Sequence, residues 1–123
     1  MLILICGKPR SGKTTLSKIF TCPVIHVDIS QRKGCEDFIR KHPRERVCCE
    51  GFYPVAAFRK RLADFTEGFK LCVWVDTSLK IRTIRKKIVK DYDFDPPTLS
   101  EGWDKIVIIH DNDPKKVEVI TRR

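Results

Sequence analysis

The sequence predicts an α/β fold in three layers, helix on sheet on helix, around a five-stranded parallel sheet. Three observations carry that expectation. Short apolar runs recur along the chain, most of them ending on a glycine, an acidic residue or a histidine, as strands buried on both faces do. Segments with helix-start signals and helical spacing lie between them. The length, 123 residues with 41% hydrophobic, suits a single domain over 1–123 with a core of its own.

The elements follow in order. Leu2–Cys6 is apolar throughout and runs into Gly7, which reads as a buried strand. Gly12–Phe20 reads as a helix. Pro23–Asp28 (PVIHVD) is a second strand and Lys33–Lys41 a polar helix stopped near Pro43. Arg46–Glu50 (RVCCE) is a third strand. Pro54–Phe65 is a helix with proline at its start and Ala56, Ala57, Leu62 and Phe65 to one side. Leu71–Asp76 (LCVWVD) is a fourth strand, followed by a helix over Ser78–Val89 capped by Thr77 or Ser78. Asp91–Gly102 is a loop containing prolines, Lys105–His110 (KIVIIH) a fifth strand, and the remainder a charged tail. Strands alternating with helices give a parallel sheet covered on both faces, and ligands of such sheets sit at the carboxyl ends of the strands.

Composition narrows the partners. Lysine and arginine number 25 against 16 acidic residues, a formal charge of +9. That favours nucleotides, nucleic acid or phosphorylated metabolites; a solvated basic helix face accounts for it equally well. No apolar run approaches the ~20 residues of a membrane span, so a cytoplasmic protein without membrane contact is expected. The six cysteines include no C-x-x-C pair, and the histidines add no ligand spacing, so no structural metal is expected. Cys6, Cys48, Cys49 and Cys72 lie in apolar runs and read as small buried hydrophobes.

The segment Gly7-Lys8-Pro9-Arg10-Ser11-Gly12-Lys13-Thr14 matches G-x-x-x-x-G-K-[ST] in full, between a strand and a helix. Glycines there let the backbone turn tightly and aim successive N–H groups at phosphate oxygens, and the helix start adds partial positive charge. Lys13 would hold the β- and γ-phosphates of ATP, Thr14 would ligate Mg²⁺, and Thr15 would reach the α-phosphate.

Other candidates stand at strand ends. Asp28 could orient a hydroxyl and take its proton, or simply cap the turn that follows. Arg32, one turn on, could grip an acceptor phosphate or lie on the surface. Glu50 could hold Mg²⁺ or bond the acceptor, or end its strand in solvent. Arg59 and Arg61 follow on the next helix, where one could face the site. Arg82, Arg85, Lys86 and Lys87 form a basic cluster on the fourth helix, a source of charge for a transferred phosphoryl group or a solvated face. Phe52, Tyr53 and Trp103 could stack a base or pack in the core.

With these residues placed, the chain resembles the nucleoside and nucleotide kinase group of P-loop proteins, and within it the kinase module of polynucleotide 5′-hydroxyl kinases. The likeness runs through GKPRSGKTTL, VIHVDISQR, RVCCEGFYPVAAFRKRL with LCVWVDTSLKIRTIR, and FDPPTLSEGWDKIVII. Phe94–Ile109 is similar to the P-x-L-x-E-G-F segment before that module's last strand, with Trp103 in place of phenylalanine. LCVWVDTSLKIRTIR is also similar to adenylylsulfate kinases, and IVIIHDNDPKKVEVI to the end of dephospho-coenzyme A kinases.

The resemblance implies a P-loop fold like that of nucleoside monophosphate kinases, with a short lid between Arg82 and Pro96. It implies Asp28 as base on the acceptor hydroxyl, Arg85 as a lid arginine, Arg32 as the arginine after the aspartate, and Asn112 and Asp113 near the adenine. The expectation is an ATP- and Mg²⁺-dependent kinase. Its acceptor would be the 5′-hydroxyl of a nucleoside or of a single-stranded nucleic acid end. A nucleotide or small-metabolite kinase and a nucleotide-binding regulator are the alternatives.

Overall fold

The computed structural model describes residues 1–20, 23–85 and 91–122. Its framework is a mixed six-stranded sheet with four α-helices among the described residues. The strands are β1 (Leu2–Cys6), β2 (Val24–Val27), β3 (Val47–Gly51), β4 (Lys70–Asp76), β5 (Lys105–His110) and β6 (Val117–Thr121), in spatial order β2-β3-β1-β4-β5-β6. The helices are α1 (Lys13–Ser17), α2 (Arg32–Lys41), α3 (Ala56–Phe65) and α4 (Leu79–Arg85). No helix among the described residues is long and apolar enough to cross a membrane.

β1 through β5 pair in parallel, as expected, but the sheet is not purely parallel. β6 returns beside β5 in antiparallel register, with Val119 opposite Val107. The stretch read as a charged tail is therefore a sixth strand. All five of its residues are exposed, so burial imposes no alternation on it, and the flanking Lys115, Lys116 and Arg122 mask its three apolar side chains. Only its pairing to β5 identifies it.

β1 is buried at every residue because it has a neighbour on each side and apolar cover on each face. Its side chains alternate: Leu2, Leu4 and Cys6 join one apolar cluster with Ile39 of α2, Leu62 of α3 and Trp103. Ile3 and Ile5 join a second with Cys48, Val73 and Val75, against which Leu16 of α1 packs. Five cysteines are buried, among them Cys35, whose Sγ lies 3.2 Å from that of Cys49; Cys22 lies outside the described residues. Burial pushes the Cys72 thiol far up, so it packs as a neutral hydrophobe.

Helix α1 is shorter than its sequence pattern. Ser17 Oγ donates to the Thr14 carbonyl at 2.6 Å, and Lys18, Ile19 and Phe20 bond three residues back, tightening the chain after Ser17 into turns. Helix α3 begins at Ala56, two residues beyond Pro54, and its first amide donates to Asp95 of a distant loop.

Candidate functional site

From β1 the chain goes to β2 and β3 on one side, then to β4 and β5 on the other. The strand order thus reverses at β1, and a crevice opens at the carboxyl ends beside it. The Gly7–Thr14 loop leaves β1 into that crevice. Gly7 is required by close approach: a side chain there would meet the Val75 carbonyl at 2.6 Å. Gly12 is required by its backbone. Its φ of 103° is left-handed, and a Cβ would also press on the end of the Asn112 side chain. Asn112, in the turn between β5 and β6, thus sits directly on the loop.

Arg10, Ser11, Gly12, Lys13, Thr14, Thr15, Glu50 and Asn112 line one cavity of about 410 Å³. This brings together most of the residues expected from the motif, with Glu50 added from β3 and Asn112 from the β5–β6 turn. Lys13 Nζ donates to the Lys8 carbonyl across the loop at 2.8 Å. The Ser11 hydroxyl is buried with no partner among the described residues, while its carbonyl accepts from Thr77 Oγ1 at 2.7 Å. Gly7 braces the loop's entry through its amide, bonded to the Phe52 carbonyl at 3.3 Å.

A second cavity of about 500 Å³ adjoins the first and shares Lys13 and Glu50 with it. Pro9, Asp28, Gly51 and Phe52 are among the residues that line it. Glu50 is nearly buried, and its Oε2 is held 2.7 Å from Nδ1 of His26, a partner the sequence reading missed. Asp28 accepts from Ser30 Oγ at 2.6 Å and from the Gln31 amide at 3.1 Å. It therefore caps the turn after β2 while also bordering the cavity. The Ser30 hydroxyl, then the Gln31 and Ser30 amides, hold its carboxyl below the usual carboxylate range, so it is ionised at neutral pH.

Burial holds Lys13 at about 8, below its ordinary 10.5, with the Glu50 charge pulling it back up. The folded chain therefore releases this proton before the unfolded chain does. Between pH 8 and 10.5 the unfolded state binds more protons here. The lysine's drag on stability is full below pH 8 and is relieved as the pH climbs through that window. The stability of Lys13→Met minus that of wild type is expected to fall across this range, read by urea denaturation at neutral and alkaline pH. A difference that stays constant would put Lys13 in water.

Other expected residues lie elsewhere. Arg32 packs over Phe58, its Cζ 4.6 Å from the ring centroid, and borders neither cavity of the crevice. Arg59 is a correction. It is fully buried, pairs with Glu101 through Nε and Nη2 at 2.9 and 3.0 Å, and donates to the carbonyls of Tyr53 and Asp95 at 2.7 Å. Its guanidinium holds α3 to the 98–103 segment and borders neither cavity of the crevice. Arg61 pairs with Glu36 on α2. Tyr53 and Trp103 are core residues, whereas Phe52 borders the second cavity.

On α4, Arg82 is buried rather than solvated. It donates to the Thr77 carbonyl at 3.0 Å and to Asp91 at 2.6 Å, and its Nη1 has no partner among the described residues. Asp91 also accepts from Lys8 at 3.2 Å, tying the glycine loop to α4. Partial burial opposes its ionisation, but the bonds from Arg82, the Tyr92 amide and Lys8 prevail and hold it at about 2. The Arg85 side chain, with Lys86 and Lys87, lies outside the described residues. Asp113 shapes the β5–β6 turn, its amide bonded to the His110 carbonyl at 2.9 Å.

No protein-family model matches the chain, and no curated protein matches it in sequence.

Proposed function

We propose that the chain is a P-loop phosphotransferase of three-layer, nucleoside-monophosphate-kinase-like build. It moves the γ-phosphate of ATP to a hydroxyl, by preference the 5′-hydroxyl of a polynucleotide or nucleoside. The observation that carries the reading is the pair of cavities meeting at Lys13 and Glu50. Phosphoryl transfer needs donor and acceptor on opposite sides of one phosphorus, with little covalent work for the protein beyond positioning and charge.

Each side chain then has a role set by its position. Backbone amides of the glycine loop and Lys13 hold the triphosphate, and the ammonium offsets charge gathering on the transferred group. Asp28, ionised and open to the second cavity, orients the acceptor hydroxyl and accepts its proton. Phe52 shields that cavity's apolar side from water. Asn112 covers the cradle where a nucleotide's outer end would leave it. The Thr14 hydroxyl and the Glu50 carboxylate offer hard oxygen donors at one cavity, which fits Mg²⁺. When bound, the ion supplies charge neutralisation on the phosphates.

The reading is tested by transfer of ³²P from γ-labelled ATP to a panel of 5′-hydroxyl DNA and RNA, nucleosides, nucleoside monophosphates and dephospho-coenzyme A. Label on an oligonucleotide or nucleoside supports it as stated. Label on a monophosphate or metabolite changes the acceptor, and ATP bound without any transfer makes the chain a nucleotide-binding regulator. Asp28→Asn is expected to keep ATP binding and lose transfer by about 10²-fold. A normal rate in that variant would move the base role to Glu50.

A further inference from the structure

We infer that Cys35 and Cys49 form a two-electron thiol site: a small hydroperoxide entering beside α2 oxidises Cys35, and Cys49 closes the product into a disulfide that clamps α2 to β3. The site lies apart from the glycine loop and stands whether or not the chain transfers phosphate.

Distance, access and environment each support it. The two sulfurs, brought together from α2 and β3, are 3.2 Å apart. A disulfide is about 2 Å long, so a small adjustment of the two side chains joins them. Cys35, though nearly buried, borders a cavity of about 400 Å³ that Ile25 and His26 of β2 and Gly34 and Phe38 of α2 help to line. Gly34 leaves the approach clear: a Cβ there would meet nothing within 4 Å. Cys49 is fully enclosed behind Cys35, so a reagent in the cavity meets Cys35 first. The bond with Cys49, and after it the Tyr53 hydroxyl, hold the Cys35 thiol below its ordinary value against the opposing effect of burial, which favours the nucleophilic thiolate. Paired thiols also serve metals, but no three His, Cys, Asp or Glu among the described residues are grouped to hold an ion. Cys6 and Cys72 show what plain packing looks like. Their sulfurs are 3.7 Å apart, both residues are fully buried, and neither borders this cavity or the two of the crevice.

The chemistry balances in two steps. The Cys35 thiolate attacks the terminal peroxide oxygen and the O–O bond breaks. The departing alkoxide takes up the proton that Cys35 gave up, and Cys35 is left as a sulfenic acid. The Cys49 sulfur then attacks the Cys35 sulfur, the S–O bond breaks, and the hydroxide leaves with the Cys49 proton as water. The two thiols lose two electrons, and the hydroperoxide, which gains them, ends as one alcohol and one water. An added dithiol reverses the bond.

The test treats the folded full chain with a slight excess of hydrogen peroxide, alkylates the remaining thiols in denaturant and maps tryptic peptides by mass. Peptides 34–40 and 47–59 are expected to be linked, with Cys6 and Cys72 still alkylated, and dithiothreitol is expected to release the link. The linked chain is expected to melt about 5 °C or more above the reduced one, because the bond ties residues 14 apart in sequence. Cys49→Ala is expected to lose the link and leave a sulfenic acid on Cys35 that dimedone labels, whereas Cys35→Ala leaves Cys49 unlabelled. Gly34→Leu changes neither sulfur but fills the approach, and is expected to slow oxidation at least fivefold in a chain that melts no lower than wild type. No link, a link that survives Cys49→Ala, or an equal yield of Cys6 linked to Cys72 overturns the site. A linked chain that melts no higher than the reduced one overturns the clamp. Dimedone on Cys49 rather than Cys35 overturns the order of attack, and an unchanged rate in Gly34→Leu overturns the route.

Discussion

Lys13→Ala is expected to abolish phosphoryl transfer, by about 10³-fold or more, and to weaken ATP binding at least tenfold. The size follows from the setting. The ammonium is largely withdrawn from water at a cavity lined by the glycine loop, where a charge aimed at phosphate oxygens is worth far more than on a surface. Without a ligand its bond goes to the Lys8 carbonyl, within the same loop, so the side chain is already held near the phosphates it would meet. Alanine removes the charge and leaves the loop's own scaffold intact: the Gly7 amide still reaches Phe52 and the Ser11 carbonyl still accepts from Thr77. The fold should therefore survive, and a thermal melt close to that of wild type is the control. Titration with a fluorescent ATP analogue, beside the ³²P assay, gives the two numbers. Undiminished ATP affinity in a folded Lys13→Ala chain would end the phosphate-cradle reading.

The second large effect is on stability. Arg59→Ala is expected to cost about 3–5 kcal/mol, because it leaves the Glu101 carboxylate buried without its counter-charge. Glu101 would keep the Thr98 amide and the Trp103 indole N–H, both near 3.1 Å, but these are neutral donors. Against a typical domain stability of about 5–15 kcal/mol, such a loss takes the chain close to its unfolding threshold. The double change Arg59→Met with Glu101→Leu is expected to recover most of it, since neither charge then remains to be desolvated. Urea denaturation of both variants measures the difference. A loss below about 1 kcal/mol for Arg59→Ala would mean that Glu101 reaches solvent, against its near-complete burial.

The contrast between these residues shows what the sequence could disclose. The cradle is local: eight consecutive residues specify a turn, a helix start and a charge, so spacing alone carries them. β1, β3, β4 and β5 were legible because every residue in them is at least partly covered, which favours apolar side chains, whereas the edge strand β2 showed through Val24, Ile25 and Val27 around an exposed His26. Arg59 was not legible, because its partner lies 42 residues away and one arginine on a mixed helix face does not declare which way it points. Arg82 went the same way: in the sequence it stands among four close cations, read as a solvated face or a charge source for a phosphoryl group, yet it is enclosed by Thr77 and Asp91. The FDPPTLSEGW segment, read as a mark of the acceptor, supplies Glu101 to Arg59 and Trp103 to the core. Its residue types are thus accounted for by packing. Glu50 was read from its strand end and borders both cavities, but nothing local points to His26, which reaches it only because β2 and β3 lie in register with the two residues side by side.

The contact between Gly12 and Asn112 constrains how this sequence can drift. A methyl group at position 12 would overlap the end of the Asn112 side chain, so Gly12→Ala carries two costs, a strained backbone and an amide obliged to turn aside. Shortening residue 112 removes the second cost only. Histories in which position 112 shrinks first are therefore less harmful than those in which position 12 grows first, and the order of changes matters. The same geometry reaches the turn between β5 and β6: one residue inserted between His110 and Asn112 would shift Asn112 off the loop. An edge hairpin, ordinarily free to vary in length, is here pinned to the length that seats one amide on one glycine.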